Sequence, residues 1–402
     1  MRFLDLTSQD YLRAPHEQLL AAMEEGPWAQ TKLPFIGRLK LLLGHAECQA
    51  LLKDQDKFAV DARNAGHKSA FGLRFLPRSL KIMASNLLTM DDPDHRRLRG
   101  LVDEPFHRVA IDVQRPVIRE TCEEIVETML RTGARDLVTG LCRELPQRVI
   151  FDLLGFSRDA RTRLQNVMAG IAGSTSAFAM IRAVMKLKPA QAAMREEFER
   201  VRAEPRPGLV SELVHAGEDG EKMSDDELLA MVFVLFAAGQ ETTSHFISSA
   251  VWTLLTQPGK ADEYRAGDED ARGVAVDELM RYCTPVQMTK PRHPRAPLML
   301  HGQALQRGER VLALLASANV DPRVFDNPAE LDLKRRPNRH LGWGGGPHIC
   351  LGLHLARAEA QAAFDCLFDR FPGLAIDGDP NALKWIPRAG IRGLKSLPLR
   401  FQ

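Results

Sequence analysis

The chain has no CxxC pair, no apolar run of bilayer length and no excess of either charge, and each absence removes a class of protein. Its six cysteines are Cys48, Cys122, Cys142, Cys283, Cys350 and Cys366. They show neither the paired spacing of a structural zinc site nor the framework of a secreted disulfide scaffold, so reduced thiols in a cytoplasm are expected. Fifty-four Lys+Arg against 52 Asp+Glu leave a formal charge of +2. The basic residues are dispersed, whereas a nucleic-acid binder carries a concentrated basic stripe. The longest apolar run, Leu228 to Ala238, is about eleven residues, well short of the roughly twenty that cross a bilayer. The opening stretch MRFLDLTSQDYLRAPHEQLLAAMEEG mixes charge into every turn, unlike a secretory signal. A soluble cytoplasmic protein with no nucleic-acid and no membrane partner is expected. Internal repeats, low-complexity tracts and Pro/Gly/Ser linkers are also missing, and no GxGxxG follows a strand to hold a nicotinamide or flavin.

What is present is an ordinary globular mixture: 402 residues, 45% hydrophobic and 26% charged, enough to bury a large core. A β-rich stretch reads from Trp28 to Leu43, around Gly37. Helical patterns dominate from about Gly44 to Tyr282. Short strands are expected again at Leu298–Leu300, at Arg310–Leu315 and after Pro372. The fold class is therefore mainly α with small β-sheets.

One helix is marked with unusual clarity. Ser224 and Glu227 form a capping box, and the pattern runs to Thr256, where Gln257-Pro258-Gly259 stops it. Its first half is apolar nearly all round, as suits a helix passing through the core. Mid-helix the sequence turns polar at Ala238-Gly239-Gln240-Glu241-Thr242-Thr243-Ser244-His245. Buried polar groups are costly unless paired or put to use, so this cluster is a candidate site; a plain polar patch on an otherwise amphipathic helix is the alternative. Gly239 should weaken the helix there, and a threonine hydroxyl bonding a nearby carbonyl can open a groove.

The second marked stretch is His340-Leu341-Gly342-Trp343-Gly344-Gly345-Gly346-Pro347-His348-Ile349-Cys350-Leu351-Gly352. Its glycines let the backbone turn tightly and approach a flat ligand. Cys350 should open an amphipathic helix running to about Phe371. There the helix dipole and free N–H groups favour a thiolate able to ligate a metal centre from one face. Gly352, one turn on, would leave room for that centre. A buried, inert cysteine in a glycine-rich loop is the alternative.

The pattern Gly344-x-Gly346-x-His348-x-Cys350-x-Gly352 resembles the haem-binding signature of the cytochrome P450 family. Glu278-Leu279-Met280-Arg281 resembles its ExxR motif, Ala238 to Thr243 its oxygen-binding [AG]Gx[DE]TT helix, and Asp91 to Arg99 the DPPEHxRLR stretch of bacterial members. The four fall in the family's order, from about residue 88 onward. The resemblance implies the cytochrome P450 fold, with haem b between the long central helix and the Cys-loop helix, and residues 1–402 forming a single haem domain with no fused reductase.

It further implies that Cys350 is the proximal thiolate on iron, with Gly344, Gly352 and Trp343 against the haem. Glu278 and Arg281 would join Arg335 in a structural network that locks the Cys350 loop. Read without the family, Glu278 and Arg281 are simply three apart on one helical face, where a solvated ion pair is worth little. Thr242 would hydrogen-bond the activated O2 and Glu241 would relay protons from solvent. His95, Arg99, Arg292 and His348 match the contacts to the haem propionates. Trp343 departs from the family, where Phe is usual; its larger indole adds an N–H donor and is expected to alter electron donation from Cys350. Ile349, where an aromatic is common, is expected to be neutral.

Matching to bacterial members places Met83, Leu88, Val234, Ala237, Ala238, Met288 and Ile391 around a hydrophobic small-molecule substrate. Phe178 to Leu187 falls at the family's mobile lid, and Lys81, Lys186 and Lys188 read as surface lysines. The activity implied is a monooxygenase reaction, hydroxylation or epoxidation, with electrons from a ferredoxin or similar partner on the proximal face. Arg96, Arg97, Arg108, Lys334, Arg336 and Arg339 flank the motifs that would surround that face. Atypical oxidation (desaturation, ring coupling or nitration) and a non-catalytic haem sensor are the alternatives, though a sensor has no use for Glu241 and Thr242.

Overall fold

The computed structural model describes residues 1–33, 37–68, 78–172, 177–216 and 222–402, and for 167–172 and 177–186 the backbone alone. The chain forms two bodies: one of residues 1–66, 106–146 and 241–402, the other of 67–105 and 147–240. Helices predominate and the strands are short, as the sequence implies.

In the first body, Trp28–Leu33 pairs antiparallel with Gly37–Leu42, in the register Trp28↔Leu42 to Leu33↔Gly37. Arg2–Phe3 adds in parallel on one side and Val311–Ala313 in parallel on the other. Period-2 alternation sends one face of these strands inward. Trp28, Leu42, Val311 and Ala313 there pack with Leu51, Leu52, Phe58 and Leu315, and Leu341 completes the cluster. Leu341 begins the Cys350 loop, so the sheet's core anchors that loop at its start.

The helix after the cysteine departs from expectation twice. It spans Leu353–Arg370 with Gly352 at its N-cap, so Cys350 precedes the first turn. It is also buried nearly all round, with Ala358, Ala360, Ala362, Ala363, Phe364, Leu367 and Phe368 enclosed. Its alanines leave room for helices Arg108–Thr132, Lys260–Arg265 and Glu269–Cys283 to approach it together. Against Arg108–Thr132 it runs parallel. Arg115 donates to Gln361 at 3.3 Å, the Cys122 thiol to the Ala362 carbonyl at 3.7 Å, and Arg370 pairs with Glu127 at 2.5 Å. The facing residues Ile111, Ile118, Cys122, Ile125 and Met129 recur at helical spacing.

In the second body, Arg158–Ala172 packs on Ala177–Ala203, which also contacts Leu209–His215 and Arg78–Ala84. The 178–187 stretch read as a lid, with Lys186, lies outside the described side chains apart from Leu187, which is buried. Lys81 and Lys188 are exposed, as surface lysines should be.

The long helix spans Asp225–Thr256, 32 residues. Its capping box is formed: Glu227 N–H donates to Ser224 Oγ at 3.3 Å, and Ser224 N–H to Glu227 Oε2 at 2.8 Å. Arg97 pairs with the same Glu227, and Arg195 with Asp226. Ser224→Ala should therefore cost about 1 kcal/mol, the usual worth of an N-cap. A urea midpoint unchanged from the wild type would show that the arginine contacts hold this end alone.

Candidate active site

Along the long helix, Leu228 to Phe236 are all buried, and so are Thr243 to Val251. Between them Ala237 and Ala238 are exposed, and Gly239 to Thr242 half-buried. Ala238 to Thr242 of the polar cluster are thus not enclosed, whereas its last residues, Thr243, Ser244 and His245, are buried. The helix continues unbroken through Gly239, contrary to the expected weakening. A Cβ at Gly239 would touch only Ile150 side-chain atoms at 3.8 and 3.9 Å, so glycine here leaves space without a break.

Glu241 is not free in that stretch. Arg388 Nη2 lies 2.8 Å from Glu241 Oε1, and His245 Nε2 lies 3.7 Å from the same oxygen. Burial works to raise the carboxyl's pKa, but His245 and the Arg388 guanidinium outweigh it and hold the group at about 2. His245 is 4% exposed, and its Nδ1 rests against Gly393, where a Cβ would come within 2.1 Å. Sequence reading named Glu241 and missed both partners. His245 had a signal in its i,i+4 spacing; Arg388 had none.

The Cys350 loop is fixed by its backbone. Gly344 N–H donates to Leu341 O at 2.8 Å, Ile349 N–H to Gly346 O at 3.1 Å and Cys350 N–H to Trp343 O at 2.9 Å. Gly346 sits at φ +65°, and a Cβ there would lie 2.2 Å from the Leu52 carbonyl oxygen. That backbone atom cannot swing aside, so Gly346→Ala should cost at least the ~1–3 kcal/mol of a strained left-handed residue. Full haem retention on heating to the wild-type midpoint would contradict this. Gly342 N–H donates to His340 Nδ1 at 3.1 Å. Burial, seconded by Arg281, lowers the His340 pKa to about 3, so the ring stays a neutral acceptor. Trp343 packs at 6.3 Å from Phe246 of the long helix and 6.5 Å from His340.

Five of the six cysteines are buried, whereas Cys350 is half-exposed. Residues 342–348 and 350–354 are likewise half-buried and Ile349 is exposed. A Cβ at Gly352 would meet nothing within 4 Å. The loop therefore carries the one cysteine of the six that is not enclosed, with open space at Gly352, while Leu341 at its start is seated in the core.

Behind it, Glu278 and Arg281 are both fully buried, 0% and 0% exposed, which removes the solvated-pair alternative. Arg281 grips Glu278 in a fork, Nε to Oε2 at 2.8 Å and Nη2 to Oε1 at 2.7 Å. Arg335 Nε adds contacts of 3.2 and 3.1 Å to the two carboxylate oxygens. Arg281 also donates to the carbonyls of Asn319, Pro328 and Glu330. Two residues not read from the sequence link this network to the loop. Asn319 Oδ1 accepts from Leu341 N–H at 2.7 Å, and Asn338 Nδ2 donates to Glu278 at 3.2 Å.

Among the basic residues matched to propionates, Arg292 is buried and His348 half-buried in the first body. In the second, His95 and Arg99 stand one turn apart on Asp94–Val102. His95 Nδ1 lies 3.5 Å from Asp92, and Arg99 Nε lies 3.7 Å from Asp103. Burial first, then Arg99, lowers the His95 pKa. Of the residues matched to the substrate, Met288 and Ile391 are half-buried in the first body. In the second, Met83 is half-buried, Leu88 exposed and Val234 buried.

Residues 182–266 and 274–383 match the family model "Cytochrome P450". The chain is 32% identical over 362 residues to "Polyketide biosynthesis cytochrome P450 PksS" of Bacillus subtilis, covering 89% of this chain and 88% of that protein. The solved structure of PksS superposes with a TM-score of 0.89 over 99% of this chain and 100% of its own. "Cytochrome P450 monooxygenase PikC" of Streptomyces venezuelae is 33% identical over 99% of this chain and 94% of that protein. "Mycinamicin IV hydroxylase/epoxidase" of Micromonospora griseorubida is 35% identical over 79% and 80%.

The chain belongs to the cytochrome P450 family. It is accordingly an enzyme of the monooxygenase class, using haem b and O2, acting on a small molecule and drawing electrons from a redox partner. Among the described residues no helix is long and apolar enough to cross a membrane.

Proposed function

We propose that residues 1–402 act as one haem domain that inserts a single oxygen atom into a hydrophobic small molecule, by hydroxylation or epoxidation. The observation that carries this is the unenclosed Cys350 on a loop locked from behind by the buried Glu278–Arg281–Arg335 network. The residues present fit the haem: a cysteine that is not enclosed, on a locked loop, with open space at Gly352. The name of the mycinamicin IV hydroxylase/epoxidase supports the reaction type.

When bound, a haem ligated by a thiolate would supply the oxygen-activating chemistry. Cys350 would supply that thiolate, and Gly344, Gly352 and Trp343 would line the ring. His95, Arg99, Arg292 and His348 would hold its carboxylates, the arginines by charge and the histidines by hydrogen bonds. Thr242 would offer its hydroxyl as a hydrogen-bond donor to the dioxygen substrate, and Glu241 would carry protons inward from solvent. Met83, Leu88, Val234, Ala237, Ala238, Met288 and Ile391 supply apolar contacts to the substrate. Removing the indole N–H in Trp343→Phe changes the reduction potential on this reading; an unchanged potential and turnover would make Trp343 a packing residue only.

Electrons arrive from a separate acidic iron–sulfur protein of the ferredoxin type. Arg108, Lys334, Arg336 and Arg339 of the first body are exposed, although Arg108 lies 3.6 Å from Asp112 and Lys334 3.9 Å from Glu263; Arg97 is paired with Glu227 and Arg96 with Asp92. Reduction by such a partner should slow as salt rises; salt-independent kinetics would exclude charge-led docking.

The test of the whole reading is the carbon-monoxide spectrum of the reduced, haem-loaded protein. The strongly red-shifted Soret band of a thiolate-ligated carbonyl is expected, and a folded haem protein without it overturns the proposal. A screen of apolar compounds for a Soret blue shift then identifies the substrate class.

A further inference from the structure

A pocket of the second body has no part in the site described so far. It measures about 320 Å³ and lies between helices Arg78–Ala84 and Ala177–Ala203. Arg78, Ser79 and Ile82 line it from the first helix, and Lys188, Gln191 and Arg195 from the second. The latter three stand at i, i+3 and i+7, so a single face of the longer helix supplies that wall. Gln191 is 7% exposed, and its Nε2 donates to the Ser79 carbonyl at 3.0 Å, which ties the two walls together.

Three of the six lining side chains are cations. Asp226 holds two of them in place: Arg78 Nη2 lies 3.2 Å from one of its oxygens, and Arg195 Nη2 pairs with the other. Arg195 Nη1 lies 3.7 Å from Asp225, which Arg202 also engages. Lys188 is exposed and has no ion-pair partner among the described residues, so its charge is the uncompensated one. Ser79 is 4% exposed, and its hydroxyl has no hydrogen-bond partner among the described residues. A buried hydroxyl left unpaired is costly, and an anion in the pocket would supply the acceptor. Two guanidiniums already set in place, a spare ammonium and an unpaired hydroxyl are the donor set that a carboxylate needs. The volume is at the small end for a ligand pocket, so it suits one end of a larger molecule. Ser79, Ile82 and Met83 stand at i, i+3 and i+4 and share a face of the shorter helix. The cationic wall is thus joined through the apolar Ile82 to Met83, a proposed substrate contact.

We propose that this pocket binds a carboxylate of the substrate, which is therefore an apolar acid held by Lys188, Arg78 and Ser79 with its body running over Ile82 to Met83. The inference rests on the reading that a hydrophobic substrate contacts Met83.

The experiment titrates the haem-loaded protein with dodecanoate and with dodecan-1-ol, which share an apolar chain and differ in charge. Its lysines are first reductively methylated with carbon-13 formaldehyde, which keeps their charge, and the Lys188 signal is identified by its loss in Lys188→Gln. Dodecanoate should move the Lys188 signal and shift the Soret band to the blue with one midpoint, about tenfold below that of the alcohol. The alcohol should leave the Lys188 signal in place, and the signal of Lys81, on the same short helix but outside the pocket, should respond to neither. In Lys188→Gln the Soret midpoints of acid and alcohol should converge to within about threefold, and Ser79→Ala should weaken the acid about fivefold and the alcohol not at all. A Lys188 signal unmoved by dodecanoate, or equal midpoints for acid and alcohol in the wild type, overturns the subsite. Inorganic phosphate moving Lys188 as strongly as dodecanoate at equal concentration would make the pocket a site for free anions and overturn its assignment to the substrate. A Soret band unmoved by both compounds, with Lys188 responding to the acid, would count against the hydrophobic-substrate reading and leave the pocket an anion site.

Discussion

Glu278→Ala should leave a protein that no longer holds its Cys350 loop and retains little haem. The substitution strands two guanidinium groups, Arg281 at 0% exposure and Arg335 at 8%, with no anion between them. Breaking a buried ion pair from one side costs about 3–5 kcal/mol, a large share of the 5–15 kcal/mol by which a domain is stable. The damage has a path. Asn319 accepts from Arg281 through its carbonyl and binds Leu341 N–H through its side chain, so a shifted Arg281 moves the root of the loop. Glu278→Gln retains an acceptor oxygen and should be milder in haem retention. Haem content after purification and the urea midpoint read both effects. A Glu278→Ala protein with wild-type values in each would mean that the three residues are passive packing.

Cys350→Ser should abolish the thiolate-type carbonyl spectrum, and with it turnover, because no other cysteine can take the place. Cys48, Cys142 and Cys283 are fully enclosed, and burial pushes their thiols up and away from the thiolate form. Cys122 and Cys366 are likewise buried. A serine oxygen donates far less electron density to iron than sulfur does. Loss of at least ~10³-fold in product formation is expected, in line with removing the group that drives the chemistry. Carbon-monoxide spectra of the variant and of the wild type, at equal haem content, decide the matter. Persistence of the red-shifted band in Cys350→Ser would place the ligand elsewhere.

Much of the site was legible because it is encoded in short stretches. Ser224 and Glu227 lie within one turn, so their reciprocal hydrogen bonds follow from local geometry. Glu278 and Arg281 share a helical face for the same reason, and Gly346 announces a backbone that other residues resist. The strand pair of Trp28–Leu33 and Gly37–Leu42 follows from its β-branched and apolar residues. What was not legible is how completely these pieces are enclosed. The helix after Cys350 reads as amphipathic from its charges, yet three helices surround it. Its start at Leu353 rather than Cys350 reflects the N–H of Cys350 turning back to Trp343.

The sequence by itself determined the local grammar of this protein: a capped long helix with a polar interruption, an ExxR turn, and a glycine-rich loop ending in one distinctive cysteine. Those features depend on neighbours a few residues apart, whose geometry the backbone dictates. Tertiary structure alone decided that Glu278 would be buried among two arginines, that Cys350 would be the one cysteine of six left unenclosed, and that Arg388 and His245 would both lie against Glu241. Each depends on which distant segments exclude water from a given side chain, and burial is a property of the assembled core that no single stretch contains.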